Sequence, residues 1–99
     1  MLAAKTHVLI VEDDDLVRSL LDAFLRERGY RVSAVGSGAA MRAVLAKESV
    51  DLLLLDLGLP DEDGIALAEG NDFATRLQAR ALLDQHEFAA LEVAAGRAQ

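Results

Sequence analysis

Ninety-nine residues hold one domain, because independently folding units cluster near roughly 100–150 residues and a second core has no room. With 53% hydrophobic and 27% charged residues the composition is globular, and 17 acidic against 10 basic residues leave a net charge of −7, which repels nucleic-acid backbones and anionic membrane surfaces. Zero cysteines exclude disulfides, thiolate zinc sites and thiol catalysis.

The opening stretch, MLAAKTHVLI, has a single Lys and no cleavage-site pattern, so no signal peptide is expected. Leu52 to Leu55 is far short of the roughly 20 apolar residues of a membrane helix. A soluble, cytoplasmic protein is the expectation. Val8-Leu9-Ile10-Val11 is a β-branched-rich run ending in four carboxylates, Glu12 to Asp15, as in a strand buried on both faces. Leu16, Val17, Leu20, Leu21, Phe24 and Leu25 then recur at helical spacing and Gly29 follows as a stop, which predicts a helix over about residues 14–28. Asp14 and Asp15 read as its cap and solvated start.

Arg31 to Val35 alternates and runs into Gly36-Ser37-Gly38, giving a second strand and a turn too short for a phosphate-binding loop. Ser37 caps a second predicted helix reaching Lys47, with Ala40, Met41, Val44 and Leu45 on one face. Val50 to Leu57 supplies a third strand, with Asp51 at its entrance and Asp56 at its exit. This alternation predicts an α/β fold with a parallel sheet, right-handed crossovers and helices on both faces.

Gly58 to Gly64 reads as a turn-rich loop whose Asp61, Glu62 and Asp63 are solvated, and Ile65 to Glu69 as a short helix. Beyond Gly70 no β-branched run appears. Asn71 or Asp72 can cap a helix bearing Phe73, Leu77 and Leu82 or Leu83, and Asp84-Gln85-His86-Glu87 has the form of a capping box ahead of Phe88, Leu91 and Ala95, with Gly96 as stop. The expected organisation is a β/α core over residues 1–68 and a helical C-terminal segment of the same domain over residues 69–99. His7 and His86 lack the neighbours of a metal site and read as surface or capping residues.

In a parallel doubly wound sheet, ligands bind at the edge formed by the strand C-termini. Glu12, Asp13 and Asp56 each follow an apolar strand directly, so their carboxylates converge there if strands one and three are neighbours. Two carboxylates about 4 Å apart repel by roughly 1 kcal/mol in water and by more at lower dielectric, so three of them require a cation. Hard oxygen donors without His or Cys favour Mg²⁺, with the Gly58 carbonyl placed to add a ligand.

Val8 to Asp14, followed by the first helix and by Asp51-Leu52-Leu53-Leu54-Leu55-Asp56-Leu57-Gly58-Leu59-Pro60-Asp61-Glu62-Asp63-Gly64, resembles the response-regulator receiver domain of two-component signalling, over roughly residues 6–68. The resemblance implies a flavodoxin-like fold and a phosphorelay function. In it Asp56 is the phosphoryl acceptor, Asp13, Asp56 and the Gly58 carbonyl bind Mg²⁺ directly, and Glu12 acts through water. The implied partner is a histidine kinase or a phosphotransfer protein. A carboxylate facing a phosphoryl group beside a divalent ion is a competent nucleophile, and such catalysis is mostly positioning and charge neutralisation.

Receiver domains have five β/α units, with Ser or Thr ending strand four and Lys ending strand five. Strand starts near residues 7, 31 and 51 give about 22 residues per unit, so five units need roughly 115 residues. The expectation is therefore a sheet in order 2-1-3 with strands four and five missing or replaced by helices. The only lysines, Lys5 and Lys47, belong at the sheet edge about 17 Å from Asp56. Thr6 belongs there too, Thr75 has no assigned place, and the usual offset from the acceptor falls near His86. Impaired phosphotransfer is expected, with a receiver-like interaction or dimerisation module as the alternative. A phosphatase with an aspartyl nucleophile is disfavoured, because Gly58 supplies no second carboxylate as general acid. The same loss would expose strand three as an apolar edge, which must be covered either by the C-terminal helices folding back over it or by a second copy; of the two, a homodimer through that edge or through an exchanged C-terminal segment is expected.

Overall fold

The computed structural model describes residues 5–59, 75–83 and 86–93, with residues 75–83 and His86 described by their backbone alone. The elements are β1 (His7–Val11), α1 (Asp15–Glu27), β2 (Arg31–Val35), α2 (Gly38–Lys47), β3 (Leu52–Asp56), β4 (Thr75–Leu83) and β5 (His86–Val93).

Each helix begins and ends as its sequence dictates. The Asp14 carboxylate caps α1 by accepting from the Leu16 and Val17 N–H groups at 2.9 and 3.1 Å. At the other end Gly29 takes φ +93°, a conformation that a Cβ disfavours. There the Gly29 N–H donates to the Arg26 carbonyl and the Tyr30 N–H to the Leu25 carbonyl, which satisfies the last turn. Ser37 caps α2 through the Ala40 N–H at 3.1 Å.

β1 pairs in parallel with β2 and with β3, so the order 2-1-3 holds. All five β1 residues are buried, as expected of a strand covered on both faces. Val8, Ile10 and Val32 pack against Leu21 and Leu25 of α1 on one face. Leu9, Val11, Leu53 and Leu55 pack with Met41 and Leu45 of α2 on the other. The apolar stripe of α1 is wider than this packing uses: Val17 is buried, while Leu16, Leu20 and Phe24 are 67%, 60% and 50% exposed. Among the described residues no helix is long and apolar enough to cross a membrane.

The C-terminal third departs from expectation. Residues 75–83 and 86–93 are strands, and they form an antiparallel hairpin in a five-stranded sheet of order β2-β1-β3-β5-β4. The parallel strands four and five are replaced by this hairpin rather than by helices. The physical cause lies in β3, whose unpaired backbone edge beside Leu52 to Leu55 needs donors and acceptors. β5 meets that need by pairing antiparallel to β3, with Leu53 opposite Leu91 and Leu55 opposite Ala89. Ala89, Leu91 and Val93 thereby enter the core at period two, overriding the helix preference of an Ala-, Leu- and Glu-rich segment. His86, expected in a capping box, opens a strand instead.

β3 is thus an interior strand, so the expected homodimer through its edge is corrected: β5 of the same chain occupies it. Exchange of the C-terminal segment between copies would keep the same β3–β5 pairing. The expected loop and helix over residues 60–69, the caps at Asn71, Asp72, Asp84 and Gln85, and Phe73, Ala95 and Gly96 lie outside the described residues.

Candidate metal centre

β1 delivers Glu12 and Asp13 one and two residues past its end, and β3 ends on Asp56 itself. Because the strands are parallel neighbours in the register Val11 to Leu55, these groups reach the same edge of the sheet. One carboxylate oxygen from each of Glu12, Asp13 and Asp56 lies within 4.8 Å of the others. Glu12 is 0% and Asp56 2% exposed, whereas Asp13 faces solvent.

The surrounding backbone fixes these side chains. Glu12 Oε2 accepts from the Asp14 N–H at 2.8 Å, and the Glu12 N–H donates to the Val35 carbonyl at 3.0 Å. Asp56 Oδ1 accepts from the Gly58 N–H at 2.8 Å, which sets the plane of its carboxylate. At such spacing each pair of charges repels by roughly 1 kcal/mol in water and by about 4 kcal/mol at an effective dielectric of 20. The donor set, oxygen only and partly buried, fits a small hard divalent cation such as Mg²⁺.

The lysines are remote from this edge. Lys5 precedes β1 and Lys47 closes α2, at the opposite end of the strands. Thr6 lies there too, its carbonyl accepting from the Arg31 N–H at 3.0 Å, and Thr75 pairs with Val93 at the same end. Level with Asp56, the neighbouring strand presents Phe88, which is 3% exposed. Asp14 and Asp15 behave as cap and helix start, and Asp15 also pairs with Arg18. Asp61, Glu62 and Asp63 are outside the described residues.

Two residues escaped the sequence reading. His7, expected in a surface or capping role, is 2% exposed at the far end of β1, with Nδ1 2.8 Å from the Ser49 carbonyl and Nε2 2.8 Å from Ser33 Oγ. Its position immediately before the apolar run Val8 to Val11 was the available signal. Arg18, which stands among the apolar stripe residues of α1 in the sequence, reaches back to the Glu12 carbonyl with Nη1 at 2.8 Å.

Residues 8–81 match the response regulator receiver domain family. The TorCAD operon transcriptional regulatory protein TorR of Escherichia coli (strain K12) is 44% identical over 61 residues, covering 62% of this chain and 26% of TorR. The transcriptional regulatory protein GltR of Pseudomonas aeruginosa is 42% identical over 67 residues, covering 68% of this chain and 28% of GltR. This chain thus spans about a quarter of the length of these relatives. The crystal structure of the receiver domain of the TMAO respiratory system response regulator TorR superposes with a TM-score of 0.62 at 42% identity, over 66% of this chain and 54% of that one.

Proposed function

This chain belongs to the response regulator receiver domain family, and on that premise we propose that it is a phosphorelay receiver with Asp56 as phosphoryl acceptor and reduced phosphotransfer. The observation that carries this reading is the convergence of Glu12, Asp13 and Asp56 within 4.8 Å at the ends of β1 and β3. In this reading Asp13, Asp56 and the Gly58 carbonyl hold Mg²⁺ directly and Glu12 acts through water. The ion supplies charge neutralisation for the phosphoryl oxygens.

The chain's own part is nucleophilic. A carboxylate oxygen of Asp56 forms a bond to phosphorus as the donor's phosphorus–nitrogen bond breaks, and the histidine nitrogen leaves with the electron pair and takes up a proton. The Gly58 N–H holds Oδ1 and keeps the carboxylate in one plane during the approach. Two features argue for slow transfer: both lysines lie at the opposite end of the sheet, and Phe88 stands level with Asp56. The loss of one such cation typically costs several kcal/mol of transition-state stabilisation.

The partner is a histidine kinase or a phosphotransfer protein in the cytoplasm, and the chain is an acceptor and interaction module rather than a turnover enzyme. A charge of −7 disfavours nucleic-acid binding by this chain. Incubation with acetyl phosphate and Mg²⁺, followed by intact mass measurement, tests the proposal. Slow, substoichiometric gain of one phosphoryl mass, lost in Asp56→Asn, is expected. Rapid stoichiometric labelling would overturn the reduced-transfer reading, and no labelling with Mg²⁺ still bound would favour the interaction module.

A further inference from the structure

We infer that Arg18 is a positioning residue for the metal centre, holding the turn that carries Glu12 and Asp13 by a hydrogen bond to the Glu12 carbonyl; this rests on the Mg²⁺ reading above. Nη1 donates to that carbonyl at 2.8 Å, and Nη2 pairs with the Asp15 carboxylate. The guanidinium fork therefore bridges the end of β1 and the first turn of α1, and its side chain is only 24% exposed.

The slot it occupies depends on Gly36. A Cβ at that position would stand 3.2 Å from Nη1 of Arg18 and 3.9 Å from the Glu12 carbonyl oxygen. The last β1–β2 register pair is Val11 with Val35, so Glu12 lies at the end of the ladder, its N–H tied to Val35 and its carbonyl to a side chain from α1. Asp14 completes the circuit: its N–H donates to Glu12 Oε2 at 2.8 Å, and its carbonyl accepts from the Arg18 N–H at 2.9 Å. Glu12 is thus gripped by backbone and carboxylate together. Three mutually repelling carboxylates relax apart when the turn bearing two of them is loosened, so a clamp on that turn preorganises the ligands.

Charge alone predicts the opposite sign. Arg18 is a cation near an acidic cluster, and its removal on electrostatic grounds tightens Mg²⁺ binding, whereas loss of positioning weakens it. Calorimetric titration of the full chain with Mg²⁺ alone reads the difference. Arg18→Met is expected to weaken Mg²⁺ binding roughly tenfold. Gly36→Val, which displaces the guanidinium while leaving its charge, is expected to weaken it in the same direction. The double variant should bind no more weakly than the worse single one, and the Asp13 amide resonance should shift in both singles without Mg²⁺.

Melting curves in chelator separate a purely structural role, which lowers stability and leaves Mg²⁺ affinity unchanged. Unchanged or tighter Mg²⁺ binding in Arg18→Met overturns the inference while wild-type binding, lost in Asp13→Ala, upholds the metal reading. Failure of the wild-type chain to take up Mg²⁺ overturns both.

Discussion

Asp56, the last residue of β3, stands opposite Phe88 in the antiparallel β3–β5 ladder, and both side chains are buried. A strand running the other way brings a phenyl ring to the level where the family resemblance implies a hydroxyl from strand four. The ring offers neither a charge nor the hydrogen bond that a hydroxyl would supply at that level. Phe88→Leu should lower the unfolding free energy by about 1–2 kcal/mol in urea denaturation, from lost packing, while Mg²⁺ affinity stays within twofold of wild type.

On the proposed Mg²⁺ reading, the ion offsets the mutual repulsion of the three carboxylates. Mg²⁺ at ten times its dissociation constant should add roughly 1.4 kcal/mol of stability by mass action, visible as a raised melting temperature. Asp13→Ala should abolish that rise. In chelator the same variant should melt above wild type, because one of three like charges within 4.8 Å is gone. A variant that melts lower in chelator and higher with Mg²⁺ would contradict the arrangement.

His7 ties together three segments at the other end of β1. Its ring lies between the Ser49 carbonyl and the Ser33 hydroxyl, and its N–H donates to Asp51 Oδ2 at 2.8 Å. His7→Ala keeps the backbone bond and leaves the two ring partners without the imidazole, so a loss of roughly 2–4 kcal/mol is expected in chemical denaturation. Mg²⁺ affinity should not move, since a strand length separates His7 from Asp56.

Pairing of β5 with β3 makes a spectroscopic prediction. The Leu57 N–H donates to the Glu87 carbonyl at 2.8 Å and the Val93 N–H to the Asp51 carbonyl at 3.0 Å. These amides should resist hydrogen exchange, and Cα shifts over residues 86–93 should carry the sign of strand. Helical shifts there would contradict the hairpin. Light scattering adds the assembly test: β3 paired within its own chain allows a monomer, while a dimer retaining the same protected amides would mean that the C-terminal segment is exchanged.

Much of the fold is legible in the residue order because it depends on local chemistry. Val8 to Val11 and Leu52 to Leu55 read as buried strands, Asp14 and Ser37 cap their helices, and Gly29 ends α1 at positive φ. The acidic cluster was legible as well, since carboxylates that directly follow two apolar strands meet whenever those strands are parallel neighbours.

What only the tertiary structure decided is the fate of the C-terminal third, the clamp of Arg18 and the burial of His7. Phe88, Leu91 and Ala95 have helical spacing, yet Ala89, Leu91 and Val93 pack at the period of a strand. The choice between those periods rests on the open backbone edge of β3, more than 30 positions away, and local propensity is blind to it. Arg18 looks like an ordinary polar helix residue until the turn before α1 brings the Glu12 carbonyl within its reach. The order of residues determined the carboxylates at the edge of the sheet; the satisfaction of distant backbone groups determined what surrounds them.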